Sequence, residues 1–210
     1  MPTLQQLVTD YENELCRSKA NSTPQSILKR RSLYDDFQYI KSLQSNPIIT
    51  DFDMFFACVF NRNRHHWLMT QTLATTTANA LLNGNLLLRN YRSFEDLYDQ
   101  VRTLIINIYG IGDVACYDIS LRIGFILGIY PDNMAYYHTK LRDSARVLLR
   151  VKRVHSFRTD IANFRPLLSN MPAAFIEDFL CAKHDQFTDP NFTIGTIPVT
   201  FKYTIASYFK

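Results

Sequence analysis

Apolar residues recur along this chain at helical intervals. Leu4, Leu7, Val8, Tyr11 and Leu15 lie three or four positions apart, which predicts a first helix ending before the SKANSTP break at 18–24. Ile27, Leu33, Tyr34, Phe37, Ile40 and Leu43 repeat the stripe over 26–43, and Asn46-Pro47 stops it. Asp51 or Asp53 is placed to cap a third helix through Phe55, Phe56, Val59 and Phe60, and a fourth runs through Leu68, Leu73, Ala78 and Leu81 to Asn83-Gly84. Ser93 with Asp96 three residues later is a capping-box-like start for a helix over 93–108, whose stripe is Phe94, Leu97, Val101, Leu104, Ile105 and Ile108. The helix predicted over 113–128 is apolar nearly all round apart from Asp118, Ser120 and Arg122, the pattern of an element buried on most faces. Beyond Pro131-Asp132 come a segment over 136–149, a helix near 159–168, and a helix over 173–183 with Phe175, Ile176, Phe179 and Leu180 facing inward. The tail, 192–210, alternates weakly and reads as extended. The expectation is an all-α fold of about eight helices in one domain spanning 1–210.

Composition agrees with that pattern. With 47% apolar and 13% aromatic residues, 210 residues can fill a substantial core, while six glycines and eight prolines are too few for a turn-rich β fold or long disordered linkers. The N-terminus MPTLQQLVTDYENEL carries early acids and no apolar run, so neither a secretory nor an organelle-targeting segment is expected, and no stretch approaches a membrane span. The expected location is cytoplasmic, with no membrane partner. Cys16, Cys58, Cys116 and Cys181 are scattered without zinc-ligand spacing, which predicts reduced, buried thiols, no metal and no iron-sulfur cluster.

The net charge is +4, and its distribution matters more than its size. Between His138 and Arg158 stand Lys140, Arg142, Arg146, Arg150, Lys152, Arg153 and Arg158 against the single acid Asp143, a candidate phosphate-facing surface. The plainer alternative is a solvated helix face followed by a basic loop. Arg62, Arg64, His65, His66 and Trp67 likewise fit either a binding cluster or a polar corner with a buried Trp. Asp118 and Arg122, spaced i, i+4, either tie their helix to its neighbours or line a cleft with Tyr117, His138, Lys140 and Arg142, where the acid orients the histidine and the cations hold phosphate. Glu177 and Asp178 are expected to cap a helix or to pair with the basic segment.

Between the helices predicted over 93–108 and 113–128 lies Tyr109-Gly110-Ile111-Gly112. Two glycines around one aliphatic residue permit positive φ, Ile111 plugs the helix interface, and the N–H groups of Gly112, Asp113 and Val114 point outward, where a helix N-terminus binds phosphate oxygens. The stretch LIINIYGIGDVACYDISLRIG, 104–124, resembles the helix-hairpin-helix core of the DNA glycosylase superfamily that includes endonuclease III, and the resemblance extends over about 93–150. YGIGDVACYDISLRIG, YYHTKLRDSARVL and FIEDFLC are also similar to stretches in a group of bacterial proteins of this length.

The resemblance implies a DNA-binding helical bundle that contacts the phosphate backbone through Gly110, Ile111, Gly112 and Asp113, helped by Lys140, Arg142 and Arg146. It implies N-glycosylase-like chemistry without lyase activity, because the position of the superfamily's Schiff-base lysine holds Val114. Counting from Gly110 to the superfamily's aspartate reaches Asp132, which also has the look of a helix N-cap, while Tyr136-Tyr137-His138-Thr139 carries no carboxylate. Asp118, Asp132 and His138 are therefore the candidate catalytic groups. No cofactor is expected, and the resemblance leaves room only for a monovalent cation at the hairpin carbonyls. Two alternatives stay open: a non-catalytic DNA-binding or complex-assembly protein, and a glycosidase acting on nucleosides.

Overall fold

The computed structural model describes residues 2–20, 33–60, 69–195 and 197–209. The cluster Arg62 to Trp67 and the first turns of the helix predicted over 26–43 lie outside them. The described chain is mostly α-helical, with eight helices of eight residues or more and one two-stranded antiparallel sheet. None of its helices is long and apolar enough to cross a membrane. The chain divides into two compact units, one made of Met1–Asn21 with Pro131–Lys210 and the other of Ser22–Tyr130.

The continuous unit holds α2 (Leu33–Gln44), α3 (Asp51–Val59), α4 (Gln71–Asn83), α5 (Phe94–Ile105) and α6 (Asp113–Leu127). Consecutive helices pack on one another, α3 on α4 and α5 on α6, and α2 also lies against α6. Their N-termini explain where they begin. Thr50, and not Asp51 or Asp53, is the N-cap of α3; its hydroxyl accepts from the Asp53 N–H while the Asp53 carboxylate accepts from the Thr50 N–H, a complete capping box. Thr70 caps α4 and Ser93 caps α5 through the hydroxyl alone, and the Asp96 carboxylate accepts instead from the Arg92 N–H. The apolar stripe of α5 is fully buried through Phe94, Leu97, Val101 and Ile105, while Ile108 falls in the turn that follows. α6 is buried on most faces, as its sequence predicts.

In the discontinuous unit, α1 (Leu4–Ala20) is joined to the C-terminal half of the chain. Its Leu4, Leu7, Val8, Tyr11 and Leu15 are buried, and the Tyr11 hydroxyl donates to Asp178 at 2.8 Å. Lys183 reaches Glu14 at 2.5 Å, the Lys202 N–H donates to Glu12 at 2.6 Å, and Lys19 donates to the Tyr208 carbonyl at 3.0 Å. An aromatic cluster of Tyr11, Phe175, Phe179, Phe201 and Tyr208 fills the space between. The segment after Pro131 starts as β1 (Met134–Tyr136), which pairs with β2 (Arg158–Asp160), and continues through a single 3-10 turn at Thr139–Leu141 into α7 (Arg142–Leu149). The helix expected near 159–168 is replaced by β2 and a 3-10 turn at Ile161–Asn163; Thr159 and Asp160 are committed to the β1 ladder, and Pro166 has no N–H to carry a helix through the rest. α8 (Ala173–Ala182) follows Pro172, with Phe175, Ile176, Phe179 and Leu180 inward. A one-turn helix α9 (His184–Phe187) comes next, and the tail is extended until α10 (Ile205–Tyr208).

Candidate functional site

The hairpin between α5 and α6 is built as two different glycine positions. Gly110 has φ +93, a conformation L side chains rarely adopt, and a Cβ there would press on Leu73 at 3.1 Å. Gly112 lies at φ −120 and ψ 178, extended backbone open to any residue, and a Cβ there would meet nothing within 4 Å. Only the first glycine is demanded by the fold, which corrects the expectation that both supply positive φ. Ile111, 7% exposed, is the plug the sequence suggests, and Tyr109 beside it is 99% exposed.

Gly112 is the N-cap of α6 and has no side chain to bond the first N–H groups of the helix. Asp113, the first helical residue, has its carboxylate drawn to Arg102 at 2.8 Å, and the Tyr98 hydroxyl donates to the same oxygen at 3.5 Å. Both partners of the ion pair are 45% exposed, and the bond to Asp113 raises the Arg102 pKa. A basic group thus neutralises the one acid at the helix start.

Further along α6 the charges are buried. Arg122 is 4% exposed, and its guanidinium contacts Asp36 on α2 at 3.3 Å and donates to the Cys58 carbonyl on α3 at 2.9 Å. Arg122 thus ties α6 to α2 and α3 through Asp36 and Cys58, partners that the i, i+4 reading of Asp118 with Arg122 did not name. Tyr117 is buried edge-on against Phe94, and Asp118 is half-buried. Burial pushes the Cys116 and Cys58 thiols up to about 12.

The remaining candidates belong to the other unit. Asp132 is exposed and accepts from the Asn133 side chain at 3.0 Å, and the strand that follows it leaves no helix for it to cap. Lys140, Arg146, Arg150, Lys152 and Arg153 are exposed; Arg142 is half-buried, Arg146 lies 3.9 Å from Asp143, and Arg150 donates to the Gly195 carbonyl at 2.7 Å. His138, between β1 and the 3-10 turn, is half-buried and close to Glu177 and Cys181 of α8, two residues that periodicity marks only as members of a helix. Asp178, expected to cap a helix or to pair with the basic segment, accepts from the Tyr11 hydroxyl. Of the four thiols, Cys58 and Cys116 are buried, Cys181 is half-buried and Cys16 is exposed, so the expectation of four buried cysteines holds for two. Compared with known proteins, the chain matches no family model, no curated protein and no solved structure.

Proposed function

We propose that this chain is a helix-hairpin-helix DNA-binding protein that holds the phosphate backbone at the N-terminus of α6. The observation that carries the reading is Gly112. The fold needs no glycine there, yet its missing side chain leaves open space in front of N–H groups that the N-cap residue itself cannot bond. Such groups, together with the positive end of the helix dipole, suit a phosphate oxygen. Tyr109, fully exposed next to the turn, offers a ring to a sugar or base, and the Arg102 pairing offsets the repulsion that a bare Asp113 carboxylate would exert on a phosphate. The exposed cations of 140–153 add the sequence-independent attraction that nucleic-acid binding uses.

The experiment is duplex affinity by fluorescence anisotropy at two salt concentrations for the native chain, Gly112→Ala and Gly112→Glu. At an N-cap, Ala is poorer than Gly, but it also lowers unfolded-state entropy, so Gly112→Ala should leave stability within about 1 kcal/mol. Its DNA affinity should nonetheless fall, and Gly112→Glu should abolish binding in a folded protein. Equal affinities for all three would refute the reading. A second reading, base release without strand cleavage, is favoured by Asp118, a half-buried carboxylate about 7.5 Å along α6 from Asp113. It requires free base from modified duplexes and its loss in Asp118→Asn. Binding without release would restrict the protein to holding DNA.

A further inference from the structure

Glu177 and Cys181 stand four residues apart on α8, so helical geometry places their side chains on one face, a turn apart. Asp178, one position on, turns toward Tyr11. His138 comes from a separate element, the connection between β1 and the 3-10 turn at Thr139–Leu141, both of which pack against α8. A ring nitrogen of His138, a carboxylate oxygen of Glu177 and the Cys181 sulfur all lie within 4.8 Å of one another, and all three residues are half-buried. The His138 Nε2 atom is itself buried.

One sulfur, one imidazole nitrogen and one carboxylate oxygen form a mixed donor set. Magnesium and calcium take oxygen ligands, whereas zinc accepts all three donor types at about 2.0–2.3 Å. A tetrahedral centre with such bonds sets neighbouring donor atoms roughly 3.5 Å apart, so the three side chains must draw in by about 1 Å, within the reach of rotation about their own bonds. A thiolate and a carboxylate also cancel the two positive charges of the ion, which makes a neutral assembly of groups that are costly to bury singly. We infer that His138, Glu177 and Cys181 bind a zinc-class divalent ion and leave its fourth position open to water. The site is independent of the hairpin and stands or falls without it.

The test uses the full chain, freed of metal by a chelator and titrated with Co2+, which reports thiolate ligation directly. The expected result is a sulfur-to-cobalt charge-transfer band in the near ultraviolet, with strong tetrahedral visible bands, complete at one equivalent and bleached by Zn2+. Cys181→Ser should lose the charge-transfer band, His138→Ala and Glu177→Gln should weaken binding by about tenfold or more, and Cys16→Ser should change nothing. No band in the native chain, or an undiminished band in Cys181→Ser, would overturn the site. Should Cys181→Ser fail to fold, iodoacetamide labelling of the native chain decides: Zn2+ should protect Cys181 while Cys16 continues to react, and equal labelling of Cys181 with and without Zn2+ would overturn it.

Discussion

Replacing Arg122 by Met keeps most of the side chain's volume and removes its guanidinium from between α6, α2 and α3. Arg122 is 4% exposed and Asp36 13%, so the ion pair sits in a site with little water to replace a lost partner. The Cys58 carbonyl, in the last turn of α3, is one of those with no donor inside its own helix, and Arg122 supplies one at 2.9 Å. Breaking a buried pair from one side costs about 3–5 kcal/mol, and stranding a buried carbonyl about 1–3 kcal/mol. The two overlap in one substitution, and Asp36 retains some hydration, so the lower end applies: about 3 kcal/mol. With a urea m-value of roughly 2 kcal/mol/M, the midpoint should move down by about 1.5 M without a change in slope. Circular dichroism in urea measures this directly. Adding Asp36→Asn to Arg122→Met removes the charge left behind, so the double variant should be less destabilised than the sum of the singles by about 1 kcal/mol or more. A loss below about 1 kcal/mol for Arg122→Met, or strict additivity in the double variant, would refute the reasoning.

Gly110→Ala must force an alanine to φ +93 and set its methyl against Leu73, so urea unfolding should show a loss of about 1–2 kcal/mol, in contrast to Gly112→Ala. Asp113→Asn removes the acid that occupies Arg102, so anisotropy should show tighter duplex binding and a salt slope steeper by about one unit; weaker binding would place the phosphate elsewhere. Cys58 and Cys116, raised to about 12 by burial, should resist a thiol reagent at pH 8 until the protein unfolds, while Cys16 reacts at once. Because a free thiol ionises near pH 8.5, the stability these two thiols contribute is complete below that pH and is lost as pH rises toward about 12. The pH dependence of the urea midpoint checks this, and it should flatten when both are replaced by Ala.

The long helices other than α6 were legible because each buries one stripe. Leu97, Val101 and Ile105 of α5, or Phe175, Phe179 and Leu180 of α8, repeat at the spacing that puts them on one face, and their burial follows. The two strands left no such trace: each is three residues long, too short for alternation to register, and Ala135 and Tyr136 are both buried. The joining of α1 to the C-terminal half rests on bonds such as Tyr11 to Asp178, which cross most of the chain and impose no local pattern. The ties of Arg122 to Asp36 and Cys58 were hidden for the same reason. An i, i+4 neighbour is visible in a sequence, but a guanidinium can serve a carboxylate and a helix-end carbonyl on two other helices at once. Glu177 and Cys181 are readable as a pair on one helix face; that His138 joins them follows only from the packing of β1 on α8.

The helix starts of the Ser22–Tyr130 unit sharpen the argument about the hairpin. α3, α4 and α5 each begin on a Thr or Ser whose hydroxyl accepts from the backbone, a feature worth about 1 kcal/mol over Ala and a few tenths over Gly. α6, longer than any of them, begins on Gly112 with no side-chain cap, at a backbone conformation that Ser or Thr would tolerate and with room for either. Stability alone favours a capping residue at that position. Asp113, the next available oxygen, is held by Arg102 and Tyr98, at a turn that also exposes Tyr109, and the N-cap residue offers no side-chain cap. A local rule followed at α3, α4 and α5 and relaxed at α6 agrees with the proposed phosphate contact there. An outside acceptor fits the opening, and a phosphate oxygen has the charge and size that the bare N–H groups and the dipole favour.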